Sequence, residues 1–247
     1  MQGLFEKFRS APVTVMLCAL CVLVYVTEAV WLSGGEGRDL SWWALSGEAL
    51  EQGRWWTLVT HLFLHANLLH LLVNVLALWF IGPEVEWMLG RVRYVVLYVL
   101  GGVAGGLWQT AFAPPSAQLI GASGAVCAVL LSFTTAYPQL PLRALLFFVL
   151  PVNMRARTLG WGLIVVSLLG AVLQIFPQIG HLAHLGGALT GAALTWWWLP
   201  AKPQRPSSPE AARSAMDELV ERVAREGMDG LSRQELRQLA RLADRER

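Results

Sequence analysis

The chain has 247 residues, 55% of them hydrophobic and 15% charged, with 12 Trp and a mean hydropathy of +0.49. Soluble domains carry about 25% charged residues, so the composition excludes an ordinary cytosolic enzyme, and it excludes a disordered chain as well. A formal net charge of +2 gives no ground for a nucleic-acid partner. Residues 201–247 hold 10 of the 19 Lys+Arg and 9 of the 17 Asp+Glu. The first 200 residues are therefore apolar and long enough for about six spans of roughly 20 residues each.

Residues 1–10 contain Lys7 and Arg9 and read as a cytoplasmic N-terminus; residues 11–200 read as one membrane domain. The run Pro12–Leu32 is too long for a signal peptide and further spans follow it, so it is expected to be a retained first helix. Cys18 and Cys21 fall mid-span, where apolar packing is expected rather than zinc or redox chemistry; Cys127 reads the same way, and no disulfide is expected. The polar stretch that follows is rich in Gly and carries Trp42–Trp43 and Trp55–Trp56. Trp prefers the headgroup level, so this first loop is expected to lie in the interface.

Span two is placed at Asn67–Leu89, with Asn67 as its N-cap. Span three runs over Tyr94–Phe112 and contains GGVAGG, small residues that let helices approach closely. Pro114–Pro115 breaks the chain, and span four runs from Ser123 to just before Pro138. The stretch LPLRALLFFVLPVNMRARTL holds an apolar piece too short to span and reads as an interfacial loop segment. Leu159–Phe176 and His181–Leu199 are spans five and six. Arg91 and Arg93 join spans two and three, and Arg143, Arg155 and Arg157 join spans four and five, whereas the loops after spans three and five carry no Lys or Arg. The positive-inside rule then puts both termini in the cytoplasm. Residues 201–210 form a Pro/Ser linker. Residues 211–247 are expected to form a small cytoplasmic helical tail, with helices over Ala211–Glu226 and Ser232–Arg245. That tail reads as a solvated appendage, or alternatively as a docking module for a cytoplasmic partner.

Strongly polar side chains within spans mark functional positions, because burying them unpaired is costly. Ser123 opens span four in the run IGASGAV, between Gly121 and Gly124. A serine at a helix N-terminus beside flexible glycines could act as a nucleophile, with its oxyanion on backbone donors. Span six carries His184, followed by Gly187 and Gly191, a GxxxG that clears one face for close packing. A neutral imidazole there could serve as general base. His181, three residues earlier, is the competing candidate and reads by itself as an interfacial histidine. His70 and Asn74 are four apart and share a helix face in span two. A metal site from His61, His65 and His70 is not expected, since on a continuous helix His61 and His70 lie about 180° apart. No cofactor is expected either. Among the acids Glu28, Glu84 and Glu86 none is placed to orient His184, and Glu84 and Glu86 are expected to pair with Arg91 and Arg93. Serine chemistry would thus run on a dyad. The topology starts every even-numbered span on the extracytoplasmic side, which puts His70, Ser123 and His184 at one depth.

With HxxxN, GxSG and AHxGG in this order, the sequence resembles the rhomboid family of intramembrane serine proteases. The resemblance covers about residues 10–200 and extends to GPEVEWMLGRVR after span two and to GRWWTLVTHLFLH in the first loop. It implies an all-α membrane protein, a six-transmembrane-helix bundle with an interfacial first loop. By that resemblance Ser123 is the nucleophile and His184 the base. His70, Asn74 and the Ser123 N–H stabilise the oxyanion, with Gly121, Gly124, Gly187 and Gly191 as structural support. It also implies single-span membrane proteins as substrates, in a cell membrane that the Arg-rich, Lys-poor composition suggests is a bacterial inner membrane. Two positions depart from the pattern: Thr57 stands where many members have Arg after Trp, and Cys127 stands where an aromatic often supports the catalytic histidine. A catalytically inactive, client-binding rhomboid fold is the alternative, and it would predict loss of Ser or His. A transporter would predict a mid-span charge.

Overall fold

The computed structural model describes residues 11–31, 40–146, 150–176, 178–199, 217, 218, 220–225 and 227. Two units separate at Pro200, Met1–Pro200 and Ala201–Arg247. In the second, Asp217, Glu218 and Val220–Arg225 are helical. The predicted linker over 201–210, the helix Ser232–Arg245 and the N-terminal residues 1–10 lie outside the described residues.

The first unit is built on helices α1 (Pro12–Trp31), α4 (Leu68–Leu89), α5 (Arg91–Phe112), α6 (Ser123–Ala136), α7 (Ala156–Leu173) and α8 (His181–Trp198). Between α1 and α4 lie the short helices α2 (Gly47–Glu51) and α3 (Thr57–Thr60) and a 3₁₀ turn, His61–Phe63. Among the described residues four helices, α1, α4, α5 and α7, are long and apolar enough to cross a membrane. α6, at 14 residues, is shorter.

Local signals explain the helix ends. Asn67 caps α4 as expected, its side-chain oxygen accepting the His70 N–H at 2.8 Å. Gly90, at φ 79°, is the joint between α4 and α5. The expected pairing of Glu86 with Arg91 and Arg93 gives way to a different role. Its carboxylate is 2% exposed and accepts the backbone N–H groups of Val13 and Thr14 at 3.1 and 2.7 Å and the Thr14 hydroxyl at 2.9 Å. The first turn of a helix has N–H groups without intrahelical partners and a partial positive charge, so Glu86 caps α1 from α4 and ties the two helices together.

A second difference lies between α6 and α7. The segment read as an interfacial loop forms an antiparallel hairpin, β1 (Pro141–Leu146) and β2 (Leu150–Arg155), with Arg143 opposite Asn153. Neither apolar/polar alternation nor an Asn-Gly or Asp-Gly turn announces it in the sequence. In a two-stranded ribbon both strands are edges, which accommodates Pro151 in β2.

The core centres on α5, α6 and α8, whose facing residues are mostly small. A Cβ added at Gly187 would collide with the Gly124 carbonyl, one at Gly191 with the Ala128 carbonyl, and one at Gly101 with the Ala128 side chain. Backbone thus packs on backbone, the close approach for which GGVAGG and GxxxG are suited. Thr195 in α8 donates a hydrogen bond to the Ser132 hydroxyl of α6, both buried, at 2.6 Å. Cys18, Cys21 and Cys127 are all buried among apolar neighbours.

Candidate active site

Ser123 is the first residue of α6, and the chain enters it through Gly121, whose φ of 125° is open to glycine and strained for other residues. The Gly121 N–H donates to the His61 carbonyl at 2.8 Å, so the first loop holds this turn in place. Gly124 packs under the Ala183 carbonyl of α8. Through these contacts the first turns of α6 and α8 lie side by side, and His184 Nε2 reaches Ser123 Oγ at 2.8 Å. Both side chains are half-buried.

His70 and Asn74 stand one turn apart on α4, and His70 meets the turn that leads into Ser123. The His70 ring lies over Gly121, where an added Cβ would fall 2.6 Å from its Cε1. The Asn74 amide is buried and donates to the His70 carbonyl at 2.8 Å, which leaves its second N–H for another acceptor. The chain breaks between the 3₁₀ turn and α4, so the continuous-helix geometry used above for His61, His65 and His70 does not apply. The rings of His65 and His70 meet edge to face at 5.2 Å. His61 turns Nδ1 to the Thr57 carbonyl at 2.7 Å and His65 turns Nδ1 to the Phe63 carbonyl at 3.1 Å. Burial pushes both imidazoles down from 6.5 to about 4, so they are neutral at physiological pH.

The first loop docks on the same end of the bundle. Leu45 and Leu119 pair through reciprocal backbone hydrogen bonds of 3.0 and 2.7 Å, and Leu62 fills the space above Gly102. Trp42, Trp43, Trp55 and Trp56 are all exposed. Thr57 is buried and donates its hydroxyl to the Arg54 carbonyl at 2.7 Å. Arg54, three residues earlier, supplies the guanidinium: it donates to the Ser41 carbonyl at 2.6 Å and lies 5.6 Å over the Trp42 ring. Cys127 packs in a small cluster with Leu131 and Ala188. His181, read from the sequence as an interfacial histidine, is buried, and its Nε2–H donates to the Ile175 carbonyl at 2.6 Å.

Sequence reasoning missed Gln109 of α5, whose side-chain oxygen accepts the Ala183 N–H at 3.2 Å and so serves the first turn of α8. A lone amide near the end of an apolar span was the available signal.

A family model described as Rhomboid domain matches residues 52–201. The chain belongs to the rhomboid family. With its four long apolar helices this rhomboid is a multi-pass membrane protein. It is 32% identical over 191 residues to Rhomboid protease GluP of Bacillus subtilis (strain 168), a match covering 73% of this chain and 34% of that protein. It is 27% identical over 195 residues to Rhomboid protease GlpG of Yersinia pestis (strain Pestoides F), covering 77% of this chain and 64% of that one. The matched region thus spans less than two thirds of either relative. The matched domain takes in α3 to α8 and all of Ser123, His184, His70 and Asn74.

Proposed function

We propose that this rhomboid is an intramembrane serine endopeptidase in which Ser123 is the nucleophile and His184 the general base. The 2.8 Å contact between His184 Nε2 and Ser123 Oγ carries the reading, because it is the distance at which a base takes the proton of an attacking hydroxyl. In acylation Ser123 Oγ attacks the scissile carbonyl while its proton moves to His184. That proton then passes to the leaving amine, and water, deprotonated by His184, releases the acyl group. The developing oxyanion would lie at the N-terminus of α6, among the Ser123 N–H, the His70 ring and the Asn74 amide. Fixed donors aimed where charge develops are the largest lever available to such a site.

The full topology belongs to this proposal: six spans, α1, α4, α5, α6, α7 and α8, with both termini in the cytoplasm of a bacterial inner membrane. A helix of 14 residues rises about 21 Å, against about 30 Å of hydrocarbon. With the far end of α6 at the cytoplasmic face, Ser123 lies about 9 Å below the opposite one, where hydrolysis needs a water-filled cavity and non-helical backbone is tolerated within protein or along such a cavity. Substrates would be single-span membrane proteins, whose helical amides are already paired and must unwind before attack. The relatives named rhomboid protease support the protease reading. The test is a fluorophosphonate probe on the purified full chain. Stoichiometric label on Ser123 is expected; no label in a folded sample overturns the reading.

A further inference from the structure

We propose that His181 is a positioning residue that holds the His184 imidazole against Ser123, an inference that rests on the dyad proposed above. The two rings meet edge to face, with centroids 6.3 Å apart and planes at 83°. His184 is thus engaged by Ser123 at Nε2 and flanked by the ring of His181, one turn nearer the start of α8.

His181 is itself pinned by two features, Gly170 of α7 and the turn that follows that helix. Its Nε2 lies 2.6 Å from the Ile175 carbonyl, a contact that requires Nε2 to carry the proton and donate it, which fixes the tautomer. Its ring lies directly on Gly170 of α7, where an added Cβ would fall within 2.6 Å of Nε2. The carbonyl it meets is set by an unusual backbone: Gln174 and Phe176, on either side of Ile175, have φ of 52° and 51°. Two non-glycine residues in the left-handed region within three positions are strained, and such conformations persist where the surroundings over-determine them. Here the strained turn directs the Ile175 carbonyl at His181. Burying an imidazole is costly without a partner, and the partner is built by the adjoining turn. The chain of contacts therefore runs from α7 through His181 to His184.

The position of a general base matters steeply, since a displacement of about 1 Å can cost about 10²-fold in rate. The test compares rates of fluorophosphonate labelling of Ser123 in the detergent-purified full chain for wild type, His181→Ala, His181→Phe and Gly170→Ala. His181→Ala is expected to label about tenfold or more slowly, while the labelled fraction at end point stays complete and the protein stays folded at the assay temperature. His181→Phe keeps a ring beside His184 and is expected within about threefold of wild type. Gly170→Ala leaves both histidines in the sequence but displaces the His181 ring, and is expected to slow labelling as His181→Ala does. On a cleavable membrane substrate the loss should fall on kcat with KM unchanged.

Wild-type labelling rates in His181→Ala and Gly170→Ala overturn the proposal, and so does a rate loss that follows the folded fraction. His181→Phe as slow as His181→Ala overturns it too, because a ring beside His184 would then not be what holds the base. If His181→Ala fails to fold, slow Gly170→Ala with fast His181→Phe supports the proposal and fast Gly170→Ala overturns it. A wild-type chain that takes no label on Ser123 overturns the dyad reading instead, and is distinguishable at once.

Discussion

The outer helices α1 and α7 and the inner helices α6 and α8 solve opposite problems. On α7, Val166 is 64% exposed and Val172 68%; such residues meet lipid, and one apolar side chain there serves as well as another. On α6 and α8 the facing residues are glycine, alanine, serine and threonine, packed so that backbone touches backbone. Lipid tails are as apolar as leucine, so the inner helices gain nothing from hydrophobic bulk and depend on close fit and hydrogen bonds. The difference teaches that hydropathy finds the wall of this protein, whereas small and polar residues find its closely packed centre.

Replacing the reacting groups should break the inner pair most completely. Ser123→Ala should abolish fluorophosphonate labelling and substrate cleavage, and His184→Ala should lower both by about 10³-fold or more, with far-ultraviolet circular dichroism unchanged. Next in size, His70→Ala and Asn74→Ala should each lower kcat by about 10²-fold, the cost of one oxyanion donor. Full activity in the double variant would remove both from the site. Gly187→Ala should separate α6 from α8, since its Cβ has no room beside the Gly124 carbonyl. A loss of about 1–3 kcal/mol in stability is expected from the overpacking, read as a lowered melting temperature in detergent.

Acid should loosen the first loop. His61 and His65 are held near 4 by burial, against 6.5 when exposed. Between those values the unfolded chain binds more protons than the folded one, so stability is full above about pH 6.5 and falls as pH drops toward 4. Thermal unfolding across pH 7 to 4 should show this, and His61→Gln should flatten the slope. The smallest effect belongs to the wall: Val166→Ala should change stability by less than about 0.5 kcal/mol and leave cleavage untouched. A large loss there would mean that α7 meets a partner rather than lipid.

Much was legible in the chain itself. Runs of apolar residues near 20 in length mark α1, α4, α5 and α7 within a few residues of their ends, because a bilayer imposes length and composition on each helix separately. Asn67 announces the start of α4, since capping is local chemistry. Ser123, His184, His70 and Asn74 stand out singly, as polar groups where lipid penalises them. What depended on residues far apart in the chain was not legible. Glu86 lies 72 residues from Thr14, and only the packing of α1 on α4 turns a carboxylate beside two arginines into a helix cap. The strand pair Pro141–Leu146 and Leu150–Arg155 has no local signal, and pairing between the two strands decided it. His181 looked like a surface group until Gly170 of α7 and the Ile175 carbonyl just beyond that helix covered it. The distance from Ser123 Oγ to His184 Nε2, across 61 residues, follows from glycines on two helices that each look only small in sequence. Composition and periodicity act residue by residue and determine where helices form; the close approach of two backbones is a property of pairs, so tertiary structure alone decides it.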